Sequence, residues 1–291
     1  MPALLAVFTP VLLVTFVALA VSQVHSRLRP QIASRMLLIL LLLGAFAAVP
    51  VLIELITGSL FEVPVVGSWF HDGAHDLGFH VNVGRIIALL VCCGLLSMGV
   101  KIKRVIRSYY RSNSSTGLEL VVVHDQRPFA FVTPGPNGEV AISSALVEML
   151  SPQEFELVVA HERAHQYGRH DRLLLIGNIC TAIIPLLRPV LHRLEFSLER
   201  IADDCAAKIS GSRELVARTL ARVALYDDLP VLTMGISKVG VAARVIALTN
   251  RSSHLTRRNL ALMWVFVFSL LPVTLLQWHH VFASLRQVCG V

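Results

Sequence analysis

The sequence predicts an α+β membrane protein, with four spanning helices and a cytoplasmic domain in which a small antiparallel sheet leads into helices. Three observations carry this reading. Apolar residues make up 55% of the 291-residue chain and charged residues only 15%, a balance too apolar for an ordinary soluble domain. The apolar residues gather in four stretches that contain no Lys or Arg. Between the third and fourth stretches, short β-rich runs and a dense turn precede helices with recognisable caps.

The four stretches run from about 3 to 21, 36 to 56, 86 to 100 and 260 to 278. Lipid offers no partner to backbone N–H and C=O groups, so a crossing segment must be a helix of about 20 residues. A cleaved signal peptide would carry cations before its apolar core, whereas the first arginine, Arg27, follows the first stretch. Short cytoplasmic loops collect Lys and Arg. Arg27, Arg29 and Arg35 follow the first span, Lys101, Lys103, Arg104, Arg107 and Arg111 follow the third, and Arg251, Arg257 and Arg258 precede the fourth. The loop 57–85 holds Glu62, Asp72 and Asp76 and no cation before Arg85. The chain therefore divides into a membrane part, 1–100, with the N-terminus and loop 57–85 outside, a cytoplasmic domain, 101–258, and a fourth span with a short external tail, 259–291.

The net charge of +7 at pH 7 and pI near 9.5 do not imply nucleic acid. Much of the excess flanks the spans, where it follows the inside rule and attracts anionic headgroups of the bilayer. Cys92 and Cys93 fall in the third span, Cys180 and Cys205 inside and Cys289 outside, a pattern of free thiols and not of a disulfide framework.

In the cytoplasmic part, Leu118 to Val123, Phe129 to Thr133 and Glu139 to Ile142 read as strands, and Pro134-Gly135-Pro136-Asn137-Gly138 reads as a turn. Ser143 to Leu150 reads as a helix. Ser151, Pro152 and Glu154 then form the start signal of another: a capping hydroxyl, a proline at the first helical position and the glutamate of a capping box.

That second helix carries His161-Glu162-Arg163-Ala164-His165. Residues four apart on a helix project from one face, so two imidazoles can share one metal ion. Zn2+ is the expected ion, because it accepts imidazole and carboxylate ligands, keeps a position open and acidifies water to a pKa of roughly 7. Glu162 is then the expected general base. The expected third ligand is Glu199, with Asp203 one turn later placed to hold the free ring nitrogen of a ligand histidine. A rival third ligand is Asp171, since His161 to Asp171 also spells H-E-x-x-H-x-x-G-x-x-D, the spacing of some secreted zinc proteases. His170 and His192 are expected at the surface. The apolar run from Leu173 to Leu187 is expected to be a buried or membrane-skirting helix, because a single crossing there would part Glu199 from His161 and His165.

These residues resemble two related groups of membrane zinc metallopeptidases, the protease part of the bacterial β-lactam sensor-transducers and the HtpX and CAAX-prenyl-protease group. The resemblance rests on Phe131-Val132-Thr133-Pro134-Gly135, on the helix ending in His161-Glu162-Arg163-Ala164-His165, and on Glu199-Arg200-Ile201-Ala202-Asp203. Three spans, a cytoplasmic zinc domain and a fourth span look more like the sensor-transducers. The resemblance implies a gluzincin-like zinc-peptidase domain with His161, His165 and Glu199 on zinc, Glu162 as the catalytic base, and proteolysis of a cytoplasmic protein such as a transcriptional repressor. Two departures stand out. The stretch after span four is short, so an external penicillin-binding sensor is not expected, and the acidic residue that usually closes the motif helix comes one position late, as Asp171 after His170.

The Phe129 to Ile142 hairpin is a candidate edge for pairing with an extended substrate. Arg244, Arg251 and His254 are candidate oxyanion groups that could equally be membrane-proximal charges. His71, Asp72, His75, Asp76 and His80 in the outer loop could sense a metal or pH, against the plainer reading of a solvated surface segment. The rival functions are a membrane-protein quality-control protease and, from another class, a non-catalytic zinc-binding scaffold or signalling protein; the second has no use for Glu162.

Overall fold

Long apolar runs without interior charge become long helices. In a computed structural model that describes residues 2–61, 81–111, 119–135, 138–226, 240–250 and 255–289, these are α1 (Pro2–Ser22), α2 (Pro30–Phe61), α3 (Val81–Arg111) and, last in the chain, α10 (Arg257–Cys289). Among the described residues two helices, Pro30–Thr57 and Arg257–Arg286, are long and apolar enough to cross a membrane, and Val7–Ser22 is a shorter apolar helix. The structure thus supplies two candidate spans where the sequence predicts four. The outer loop with His71, Asp72, His75, Asp76 and His80 lies outside the described residues.

α1, α2 and α10 pack along one another. Val7, Val51 and Val281 meet at one end, and Val14, Val17, Ala47 and Leu270 meet further along. A buried amide joins all three helices, with Gln277 Nε2 donating to the Val7 carbonyl at 2.6 Å and to the Ala47 carbonyl at 3.0 Å. Val265, Phe266, Phe268, Leu275 and Leu276 of α10 face outward, as does much of α3 from Leu89 to Val100.

The small sheet is mixed, which corrects the antiparallel expectation. β3 (Val140–Ser143) is central, β2 (Ala130–Val132) pairs with it antiparallel and β1 (Leu120–Val123) pairs with it parallel. The β2–β3 hairpin is the one the turn residues predict. β1 runs parallel because the 124–129 connection crosses the end of β3 instead of folding back. Ser144 fixes that crossing: its hydroxyl donates to the Asp125 carbonyl at 3.1 Å and lies 3.3 Å from the Asp125 N–H. β3 is buried at every residue, as suits a central strand of apolar sequence.

Helices follow: α4 (Ser144–Met149), α5 (Pro152–Tyr167), α6 (His170–Ile183), α7 (Arg188–Ser210), α8 (Arg213–Tyr226) and α9 (Val241–Thr249). α5 begins as its sequence signals, with Pro152 in the first turn and a reciprocal box between Ser151 and Glu154. Arg222 of α8 clamps the Glu154 carboxylate at 2.9 Å. The Ser151 backbone N–H first, and then the Ser151 hydroxyl and Arg222, hold this carboxyl below its ordinary 4.5 against the opposing effect of burial. Ser151→Ala is expected to cost about 1 kcal/mol in thermal or denaturant unfolding. Because the folded value is depressed, Glu154's stabilisation is complete above about pH 4.5 and fades as the pH falls below it. An unchanged midpoint at neutral pH would contradict the cap.

α6 packs between α2 and α7, with His170, Gly177, Cys180 and Thr181 buried. Its Gly177 lets Leu191 approach so closely that a Cβ would stand 2.6 Å from Leu191 Cδ1. The chain then turns at Pro185 and returns as α7, and Leu187 of the turn with Val190, Leu191, Leu194 and Leu198 of α7 buries against Met36, Leu37, Leu40 and Leu41 of α2. This return brings Glu199 back alongside α5.

Candidate active site

α5 and α7 lie side by side, and their facing polar residues converge. His161 and His165 are one turn apart on α5, with their Nε2 atoms 3.2 Å from each other. Glu199 of α7 places Oε2 3.5 Å from His161 Nε2 and Oε1 3.7 Å from His165 Nε2. One ligand atom from each of His161, His165 and Glu199 fits within 4.8 Å of the other two, the one such group among the described residues.

Each ring is also held from behind. Asp203, one turn after Glu199, lies 3.2 Å from His161 Nδ1, and the Nδ1 of His170 lies 2.8 Å from His165 Nδ1. Arg244 of α9 closes the back of the site. It is 1% exposed, donates to Asp203 from Nε at 2.9 Å and Nη2 at 2.6 Å, and brings Nη1 to 2.8 Å from Glu199 Oε2. That last contact is an ion pair that leaves Glu199 Oε2 buried without a hydrogen bond.

The site's charges follow from this packing. Burial opposes a charge on His161, but the carboxylates of Asp203 and Glu199 override it and push the ring up to about 10. Burial takes His165 down to about 3 and His170 down to about 4. Burial also raises Glu162, helped by the nearby Glu199 carboxylate, to about 7. Glu199 is held well below the usual carboxylate range because Arg244 and the two imidazoles outweigh its burial. Asp203 is lowered in the same way by Arg244 and His161, despite burial that would raise it.

A metal fits this donor set. Two ring nitrogens and a carboxylate oxygen that no hydrogen bond occupies converge on one point, and the surrounding carboxylates favour positive charge there. Both rings have their other nitrogen engaged, as imidazole ligands do.

Behind His161, Glu162 and Arg244 lies a cavity of about 40 Å³, lined mostly by apolar side chains that include Leu157, Val158, Val216 and Leu220.

A family model described as peptidase family M48 matches residues 98–255, more than half of the chain. The chain belongs to peptidase family M48. No curated protein and no solved structure matches it. M48 is a family of metallopeptidases and corresponds to the second of the two groups that the motifs resemble, the HtpX and CAAX-prenyl-protease group. In this M48 chain the match spans α5 with its H-E-x-x-H and all of α7, and so includes the converging residues.

Several expectations need correction. His170 is buried, at 3% exposure, and packs on His165 instead of facing solvent. His192 is exposed as expected and bonds Glu195. Asp171 points away from the cluster: it accepts from the Tyr109 hydroxyl at 2.8 Å and the Gly135 N–H at 3.1 Å, tying α3 and the hairpin turn to α6. Arg244, expected as an oxyanion group, is engaged with Asp203 and Glu199, while Arg251 and His254 lie outside the described residues.

Proposed function

We propose that this M48 metallopeptidase is a membrane-bound zinc endopeptidase that cuts cytoplasmic proteins, a transcriptional repressor or similar regulator among them. The observation that carries the reading is the meeting of His161, His165 and Glu199 with a carboxylate oxygen left free of hydrogen bonds. These three residues would hold the ion. Zinc supplies Lewis acidity toward the scissile carbonyl and makes water acidic enough to lose a proton near neutral pH.

The protein's own groups do the rest. Glu162, buried and raised to about 7, takes the proton from the attacking water and returns it to the leaving amine. Asp203 fixes the His161 ring, and Arg244 fixes Asp203 and balances Glu199. The residue that supplies the leaving amine must sit beside Glu162, hence beside the apolar cavity. One water needs roughly 10–15 Å³, so that space suits a side chain of about three or four heavy atoms, such as Val or Leu.

The four-span topology with the catalytic domain inside draws support from the turn between α1 and α2. This turn carries Arg27 and Arg29, which the charge rule places in the cytoplasm, and it lies against α7 of the peptidase domain.

The test is metal content and peptide cleavage by the purified full chain. Zinc is expected at one ion per chain, chelation is expected to abolish cleavage, and added zinc to restore it. New N-termini are expected to start with aliphatic residues. Cleavage that survives complete removal of metal would refute the reading.

A further inference from the structure

Between α5 and α6 the chain does something costly. Arg169 sits at φ 47°, the only non-glycine residue with positive φ among those described. Such a conformation is strained for a residue with a side chain and persists where the surroundings impose it. Just before it, Gly168 has an ordinary φ of −73°, yet it has no room for a side chain: a Cβ there would stand 2.5 Å from His170 Nε2 and 2.9 Å from the Ala164 carbonyl oxygen. Just after it, His170 is folded back under α5 and buried, with its ring edge-on to His165 at a centroid distance of 4.7 Å. A continuous helix could not do this, because residues five apart do not share a face. Strain, missing side chain and burial serve one contact, His170 Nδ1 to His165 Nδ1 at 2.8 Å.

We infer that His170 is a positioning residue for metal binding, accepting a hydrogen bond from His165 Nδ1–H and so leaving the His165 Nε2 lone pair facing the ion. The direction of the bond follows from the proposed ligand role of His165, on which this inference rests. A ring that offers Nε2 to a metal keeps its proton on Nδ1, and His170 Nδ1 is the acceptor that meets it. His170 then carries its own proton on Nε2, the nitrogen lying over Gly168. His161 has Asp203 in the same capacity, so the two ligand rings are oriented by unlike partners, a carboxylate for one and a neutral imidazole for the other.

The experiment measures the zinc dissociation constant of the full chain, by competition with a chromogenic chelator, for wild type, His170→Phe, His170→Asn and His170→Asp. Phe fills the space without an acceptor and is expected to weaken zinc binding about 10- to 100-fold. Asn and Asp place an oxygen one bond beyond Cγ, where Nδ1 stands, and are expected to stay within about threefold of wild type, the rescue that a filler of space would not give. If His170→Phe fails to fold in the metal-free state, Gly168→Ala makes the same test by pushing the ring aside, with the same expected weakening. Wild-type zinc affinity in His170→Phe, or equal weakening in Phe, Asn and Asp, would overturn the inference. Absence of zinc binding in the wild type would instead refute the metallopeptidase reading beneath it.

Discussion

Glu162→Gln is expected to retain zinc at the wild-type stoichiometry and to lose cleavage by a factor of about 10² to 10⁴ in kcat. The amide matches the carboxylate in shape, so packing at this 4% exposed position is preserved while the ability to take a proton from water is removed. The surroundings suit Glu162 to the proposed role: burial together with the neighbouring Glu199 charge raises it to about 7, where a carboxyl group can accept and release a proton near neutral pH. Metal analysis and a peptide assay on the same preparations separate the two roles on α5. Equal cleavage by wild type and Glu162→Gln would end the assignment of the base, and loss of metal in the variant would show that Glu162 helps to hold the ion.

The largest stability effect is expected at Arg244. Its guanidinium lies against two buried carboxylates, Asp203 at 2.6 Å and Glu199 at 2.8 Å. Arg244→Met leaves His161 as the remaining cationic partner of both and is expected to cost about 3–5 kcal/mol in denaturant unfolding of the metal-free chain. The penalty comes from stranded charge more than from lost attraction, which gives a sharper check. Adding Asp203→Asn to Arg244→Met should cost less than the sum of the two single changes. Strict additivity would mean that the pair is not coupled.

How much of this could be read from residues alone differs by element. The start of α5 was legible because Ser151, Pro152 and Glu154 act locally, through hydroxyl, ring and carboxylate within one turn. The placement of His161, Glu162 and His165 on one helix followed from the same local rules. The hairpin from β2 to β3 was legible from its turn residues. β1 was not, because its parallel direction is set by Ser144 gripping Asp125 across the end of another strand, a tertiary contact without a periodic signature. His170 was misplaced at the surface because helical spacing puts i+5 on a different face from His165, and nothing in the letters marks Arg169 as left-handed. Arg244 drew attention only as a cation, since its carboxylate partner Asp203 lies 41 residues earlier.

α7 has a second grip besides the site. Arg193 donates to the Ser22 hydroxyl, Arg200 reaches the Ser26 and Leu28 carbonyls at 3.5 Å, and Phe196 packs edge-on against His25. The segment bearing Glu199 is therefore bolted on both flanks to the hinge joining α1 and α2. A shift of either of those helices against α7 is expected to move the Glu199 carboxylate relative to the two rings. The apolar helices and the site thus share one packing unit, and a displacement of α1 or α2 is expected to reach Glu199 through Arg193, Phe196 and Arg200.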